Sequence, residues 1–593
     1  MTYGAALGPA WRCSPIVVTV RLDEIRLLDG PNVYRLEPAV RIELSVGRRR
    51  SWYGQRSPGR HAVVRLGARV AASSAPSRVA ALAAWVRRLH RRAMGTSVPV
   101  TIHRTSEPGH WVVAYPWRER EKAELVAEAA YRLAEQRSDR LFDRAVRRII
   151  EAGTTPPEWI TDQQRRAGAG GVPLISISGT NGKSTTTRMI THVARQAGRS
   201  VGTTTTDGVL VDEKIVEPGD YTGPLGAQAV LTRPDVQLAV LETARGGILL
   251  RGLGYESNDA SVLTNISADH LDLQGVHTLP ELAEVKSVIC RVTRPSGAVV
   301  LNADDPLVAG IARWVRAPVF LFSVRGTGRR LRAHLARGGR AFVLEDGWIV
   351  ERRGEGWRRR IVRAEELPAT LGGLARRNIA NALAAAAGAR AVGLPYRAIA
   401  DGLRDFSNSP DLMPGRLNLY INASRLVIVD YAHNEAGLAA LFDTAEALVG
   451  ARGRRRVTIN AVVGTAGDRP DDALRAIGRV AAQRSDQVAI KESRTYLRGR
   501  TRASVIGELK EGMRSGGMAP GSVPVYENEP LAIQGELETP GRLAAADDGT
   551  PRVVLLMCHH QREDVQAYLA RAGFTPVDDR SLLRDLLASP SQT

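Results

Sequence analysis

The sequence predicts an α/β protein in three parts: a small N-terminal α+β domain, a central parallel-sheet domain carrying a phosphate loop (P-loop), and a C-terminal Rossmann-like α/β domain. Three observations carry that prediction. Strand-like apolar runs alternate with helical patterns from about residue 172, and again from about residue 408; such alternation produces a mostly parallel sheet wrapped by helices. The run Leu174-Ile175-Ser176-Ile177-Ser178 leads directly into a glycine-flanked turn and a helical pattern. Finally, 593 residues exceed what one hydrophobic core organises, at about 150 residues per domain.

The first domain spans 1–153. It opens with a strand-like run at 16–22 and a clean apolar/polar alternation at 40–46, followed by helical patterns at 77–93 and, as one long amphipathic run, at 119–150. Thr154-Thr155-Pro156-Pro157 and Ala167-Gly168-Ala169-Gly170-Gly171 break regular structure, so 154–171 is a linker. The central domain, 172–407, reads as strand Leu174–Ser178, a helix from Lys183, strands at 236–242 and 260–265, a helix at 280–291, a strand at 298–302 and an alanine-rich helix at 375–391. The third domain, 408–593, begins at the turn Asn408-Ser409-Pro410. Strands at 426–430, 457–463, 487–491 and 553–558 alternate there with helices from Ala436, Asp472 and Ala503 and a last one after the final strand. No internal repeat is visible.

Composition narrows the class. With 44% hydrophobic and 24% charged residues the chain is of ordinary globular type. Residues 1–15 lack a basic stretch followed by an apolar core, and no apolar run approaches the roughly 18 residues of a membrane span, so a cytoplasmic protein with no membrane partner is expected. Cys13, Cys290 and Cys558 are far apart, which excludes a disulfide framework, and Cys558-His559-His560 reads as a strand end rather than a zinc site. A net charge of +20 suits an acidic polymer or a nucleic acid. Aromatic residues, 5% and unclustered, offer no base-stacking platform, so nucleic acid is not the expected partner. Lysine occurs only at Lys122, Lys183, Lys214, Lys286, Lys491 and Lys510; in so arginine-rich a chain, a lysine hints at a compact ammonium or a titratable amine. Nothing in the sequence bears on oligomeric state.

The chemistry-bearing segment is Gly179-Thr180-Asn181-Gly182-Lys183-Ser184-Thr185 between strand and helix. Glycines let the backbone turn so that successive N–H groups and the helix start face a phosphate; Lys183 reaches the outer phosphates and the Ser184 hydroxyl ligates Mg²⁺. Ile177 stands where the longer GxxxxGK[ST] signature has glycine, so the loop is of a shorter form. Glu242 follows one strand and His270 the next, at the carboxyl edge where open α/β sheets bind ligands. With the loop they form a metal–nucleotide constellation. Each alone also reads as a cap or a satisfied core residue.

These segments, with Glu242-Thr243-Ala244-Arg245-Gly246-Gly247, Thr264-Asn265, Asp269-His270-Leu271-Asp272 and Asn302-Ala303-Asp304-Asp305, resemble the central domain of the Mur ligase superfamily. Asn378 and Asn381, Pro414-Gly415-Arg416, Asp430-Tyr431-Ala432-His433-Asn434 and Gly464-Thr465-Ala466-Gly467-Asp468-Arg469 continue the likeness. Within the superfamily, Thr203-Thr204-Thr205-Thr206-Asp207-Gly208 and the stretch 242–251 are most similar to the Mur-like half of cyanophycin synthetases. Leu28-Asp29-Gly30-Pro31-Asn32-Val33-Tyr34 and the strand at 111–115 resemble their N-terminal domain. That family has an ATP-grasp domain between the two, where this chain has only the linker.

The resemblance implies an ATP- and Mg²⁺-dependent acid–amine ligase working through an acyl phosphate. In that family the Mur-like half joins arginine to side-chain carboxylates of polyaspartate. It implies that residues 179–185 bind nucleotide, with Lys183 on the β- and γ-phosphates, and that Ser184 and Glu242 hold a first Mg²⁺. His270 is then on a second Mg²⁺, served also by Lys286 as a carbamate. Asn378 lies toward the adenine, and Arg416, Asp430 and His433 lie near the nucleotide. Asp468-Arg469 and Lys491-Glu492-Ser493-Arg494, at strand ends, suit the incoming amine or serve as helix caps. Two alternatives remain: a Mur-type ligase on a peptidoglycan- or folate-like acid, and a non-catalytic nucleotide-binding subunit of the same fold.

Overall fold

The structure is a computed structural model that describes residues 17–49, 75–166, 171–269, 271, 273–422, 425–450, 458–492, 496–538 and 552–577. It divides into two compact units, one of Met1–Glu158 with Leu250–Gly252 and one of Trp159–Leu249 with Leu253–Thr593.

The first unit is an antiparallel sheet in the order Val17–Leu28, Ala39–Arg49, His110–Pro116, Thr101–Arg104. The helices Ala75–Met94, Arg120–Glu135 and Asp139–Glu151 supply Val79, Leu82, Val86, Val126, Leu133 and Ile149 to a core shared with Val40, Ile42 and Val113. The single helix expected over 119–150 is two. Gln136 ends the first, and the Ser138 hydroxyl accepts from the Leu141 N–H at 3.3 Å to start the second, because a serine bonded to a nearby backbone N–H is an N-cap rather than a helix interior residue.

In the second unit, seven parallel strands form the middle of an eleven-stranded sheet: Arg340–Glu345, Val319–Ser323, Thr293–Asn302, Asn258–Leu263, Leu174–Ser178, Leu238–Glu242 and Val201–Thr205. Antiparallel strands close both ends: Trp348–Arg353 and Trp357–Arg363 at one, Gly208–Val211 and Lys214–Pro218 at the other. Leu174–Ser178 comes first in the sequence yet lies between Leu238–Glu242 and Asn258–Leu263. The strand order therefore reverses beside it, and a crevice opens at its carboxyl end. Ile175, Ile177, Val240 and Val262 pack against Ile190 and Val193 of helix Lys183–Gln196 and against the alanines of helix Arg376–Ala391.

A second sheet of the same unit runs Val525–Tyr526, Gln487–Lys491, Thr458–Val463, Arg552–Met557, Arg425–Asp430, parallel throughout, then the antiparallel Asn418–Asn422 and Thr575–Pro576. Cys290 and Cys558 are buried free thiols; Cys13 lies outside the described residues. Among the described residues no helix is long and apolar enough to cross a membrane, and no cluster of three or more His, Cys, Asp or Glu has metal-binding geometry.

Candidate functional site

The carboxyl ends of the two sheets of the second unit border one cleft of about 710 Å³. Gly179 and Gly182 adopt φ of +145° and +84°. A Cβ on Gly179 would lie 1.9 Å from Thr264 Oγ1, and one on Gly182 would lie 2.3 Å from Asn381 Oδ1, so the turn admits only glycine at both. The loop is braced from the next strand. The Thr180 and Asn181 N–H groups donate to the Asn265 carbonyl and Asn265 Oδ1 at 2.8 and 2.9 Å, while Thr264 Oγ1 donates to the Asn181 carbonyl at 2.7 Å. These two amides are therefore spent on the protein. Helix Lys183–Gln196 starts at Gly182 without a side-chain cap, and first-turn N–H groups have no intrahelical acceptor, which suits an anion. Lys183 Nζ donates to the Thr180 carbonyl at 3.0 Å.

Glu242 ends its strand inside the crevice, 2% exposed, and no hydrogen bond of acceptable geometry reaches either carboxylate oxygen. Burial pushes its carboxyl above the usual range against the pull of Lys183, Arg416 and the nearby Ser184 hydroxyl. A desolvated carboxylate with two bare oxygens is costly unless a cation occupies the space before it. Lys286, on helix Leu279–Arg291, is also buried, and its Nζ donates to the Gly179 carbonyl at 2.8 Å. Burial, with the Lys183 and Arg245 charges outweighing Asp269 and Glu242, brings its ammonium down to about 7. His270 lies outside the described residues.

The opposite wall comes from the second sheet. Arg416 Nη2 donates to Ser184 Oγ at 3.3 Å and Thr206 Oγ1 at 3.2 Å, with its guanidinium 4.0 Å over the Tyr431 ring. Asp430, at the end of strand Arg425–Asp430, accepts from the Leu417 and Ala432 N–H groups at 2.8 and 2.7 Å. Burial raises its carboxyl, moderated by Arg416 and Arg377. His433 Nε2 lies 3.3 Å from Asp269 Oδ2, and the Asn434 and Asn181 side-chain amides pair at 3.4 Å. These contacts, with those of Arg416 to Ser184 and Thr206, join this wall to the side that carries the loop 179–185.

Gly179, Thr180, Asn181, Gly182, Lys183, Ser184, Thr185, Glu242, Lys286, Asn378, Arg416, Asp430 and His433 all line this cleft. Asn378 Nδ2 is committed to the Ala369 carbonyl at 2.7 Å. Asp468 and Arg469 line the cleft too, Arg469 lying 3.5 Å from Asp269. Lys491 does not: its side chain is fully buried and donates to Glu529 at 2.6 Å. Glu492 is paired with Arg502, and Ser493 and Arg494 lie outside the described residues. Sequence reasoning gave no role to Arg245, Asp269, Arg377 or Tyr431, which also line the cleft. Arg245, Asp269 and Tyr431 lie in segments that carry the family resemblance and follow strand ends, the signal that singles them out.

Residues 177–389 match the family model of the Mur ligase middle domain. The cyanophycin synthetase of Synechocystis sp. is 44% identical over 321 residues, 54% of this chain and 36% of that protein. The UDP-N-acetylmuramoyl-L-alanyl-D-glutamate–2,6-diaminopimelate ligase of Geobacter metallireducens is 29% identical over 59% of this chain and 65% of its own length. This chain thus spans little more than a third of the cyanophycin synthetase it matches. A solved bifunctional folylpolyglutamate synthase/dihydrofolate synthase, with Mn, AMPPNP and L-glutamate bound, aligns over 67% of this chain and 89% of its own at 20% identity and a TM-score of 0.48.

Proposed function

We propose that this chain is an ATP-dependent carboxylate–amine ligase that makes an amide or isopeptide bond through an acyl phosphate and releases ADP and phosphate. The observation that carries the reading is Glu242, a buried carboxylate with two bare oxygens beside the start of an uncapped phosphate-loop helix. That arrangement suits a divalent cation on a nucleotide's phosphates, since Lys183, Arg416 and the Ser184 hydroxyl offset its desolvation only in part.

A carboxylate resists attack by an amine because oxide is a poor leaving group. Transfer of a phosphoryl group onto it supplies a good one, and catalysis is then largely positioning and charge neutralisation. The residues fit those tasks. The first-turn N–H groups of helix Lys183–Gln196 cradle the phosphates and Lys183 bears on the outer ones. Ser184 and Glu242 would hold Mg²⁺, which would neutralise phosphate oxygens. Arg416, Asp430, His433 and Asn378 would complete the nucleotide pocket, and His270 would serve a second Mg²⁺ by the resemblance. A Lys286 amine that deprotonates near neutrality is nucleophilic enough to add to CO₂ with loss of a proton, and the carbamate so formed would serve a second metal with His270.

The kinship with cyanophycin synthetases supports arginine as amine and an acidic, polyaspartate-like chain as acid, and the +20 charge agrees. The diaminopimelate ligase match, over 65% of that protein, favours as a second reading a peptidoglycan-type acid. We further infer domains at 1–153, 172–407 and 408–593. A cytoplasmic location follows from where ATP and free amino acids are pooled.

Titrating a non-hydrolysable ATP analogue into wild type and Glu242→Gln tests the carrying observation. Binding to wild type should require Mg²⁺, and the variant should bind at least about tenfold more weakly, one charge-assisted ligand being worth roughly 1.5–3 kcal/mol. Equal, Mg²⁺-independent binding in both would remove the basis of the reading.

A further inference from the structure

The third-domain lysine that the cleft leaves unused sits in a buried ionic network directly behind the cleft wall. Lys491, at the end of strand Gln487–Lys491, donates from Nζ to Glu529 Oε1 at 2.6 Å and to His559 Nδ1 at 2.8 Å. Glu529, 1% exposed, opens helix Glu529–Glu538 and also accepts from the His559, His560 and Gln561 N–H groups at 2.7, 3.1 and 2.8 Å and from the Cys558 thiol at 3.1 Å. The carboxylate therefore shapes the whole segment that follows strand Arg552–Met557.

An ammonium has only protons to offer, so His559 Nδ1 must accept and Nε2 must carry the ring's proton. Nε2 then donates to the Ala432 carbonyl at 2.8 Å. Burial and the Lys491 charge hold that ring neutral, as the tautomer requires. Ala432 belongs to the turn after strand Arg425–Asp430, whose Tyr431 lies under Arg416, whose His433 faces Asp269 and whose Asn434 pairs with Asn181 of the phosphate loop. Tyr431 also meets the His559 ring edge-on at 5.2 Å. An apolar trio of similar volume would pack as well at lower desolvation cost. What it could not do is hold the Ala432 carbonyl and the 558–561 segment in register.

We propose that Lys491, Glu529 and His559 form a positioning relay that sets the turn 430–434 against the phosphate loop, so that nucleotide affinity depends on the His559 Nε2–H to Ala432 bond. Lys491 and Glu529 do not line the cleft; His559 does, and in this proposal it acts through the Ala432 carbonyl. The inference rests on the ligase reading above.

Glutamine can reproduce the Nε2 donor and asparagine the Nδ1 acceptor, so the two substitutions separate the relay's outward bond from its inward one. The dissociation constant of a Mg²⁺-bound, non-hydrolysable ATP analogue is measured for wild type, His559→Gln, His559→Asn and Lys491→Met, with circular dichroism as the check on folding. His559→Gln should stay within about twofold of wild type, while His559→Asn and Lys491→Met weaken binding about fivefold to tenfold, as loss of one buried hydrogen bond implies. Equal affinity in all variants, equal loss in His559→Gln and His559→Asn, or unfolding of both His559 variants would overturn the relay. A wild type that binds no nucleotide would instead bring down the ligase reading and the relay with it.

Discussion

Lys286 has a chemical state that the solvent can change. Its ammonium is desolvated and lies near the charges of Lys183 and Arg245, which brings its ionisation down to about 7 from the usual 10.5. Below that pH the folded protein carries a charged lysine; above it the amine is neutral and can add to CO₂. Turnover should therefore rise as pH increases through about 7, and added bicarbonate should raise it most on the alkaline side. Lys286→Arg, which cannot lose its proton, should fall by about 10–100-fold, the usual cost of losing a group that supports a metal site. A pH–rate profile of wild type beside the variant reads this directly, and a flat profile would detach Lys286 from the chemistry. At this scale the sequence was informative about residue type and silent about partners. The scarcity of lysine draws attention to Lys183, Lys286 and Lys491 alike, but placement separates them: the first two line the cleft and the third does not.

Helix Lys183–Gln196 carries the loop's geometry into the fold, and His192 is how it is anchored at its far end. His192 Nδ1 lies 2.7 Å from Glu213 Oε1 and Nε2 lies 3.0 Å from Asp405 Oδ2, tying the helix to the 212–213 turn and to helix Tyr396–Asp405. Burial alone would favour the neutral ring, but the two carboxylates outweigh it and raise the ionisation above 6.5. A histidine raised on folding stabilises fully below its unfolded value, and that contribution is lost as pH climbs through the folded value. His192→Gln should consequently lower the melting temperature more at pH 6 than at pH 9; an equal drop at both would mean the pair contributes packing and no charge. The same helix was legible in the sequence because strand, glycine turn and helical pattern follow one another without interruption. Helix Leu279–Arg291 was legible as well, and its Thr278–Glu281 capping box shows why. The strands Trp357–Arg363 and Lys214–Pro218 were not read. Arginines on both faces of an edge strand erase the two-residue alternation, and a wholly exposed strand never has it. The break at Ser138 was missed for the opposite reason, since the helical period resumes almost in phase across it.

On the scale of the molecule, two sheets contribute one wall each to a single cleft, and the contacts made to the loop 179–185 come from segments more than 200 residues away: Arg416 on Ser184, Asn434 on Asn181. No periodicity forecasts such pairings. The parallel order of each sheet does forecast where loops gather, which is why the site's location was readable while its contacts were not. His270 stands outside the described residues, and its part in the site is carried by the resemblance alone. On the proposed reading, the cleft brings a nucleotide's outer phosphate to a carboxylate that an amine then attacks.

Isotope transfer tests that claim most directly. A panel of acids, polyaspartate among them, is offered with arginine and other amino acids, and the pair that releases ADP and phosphate above the Lys183→Ala background is repeated with the carboxylate labelled by ¹⁸O. Activation through an acyl phosphate predicts one labelled oxygen in each phosphate released. Unlabelled phosphate, or AMP and pyrophosphate in place of ADP and phosphate, would contradict it.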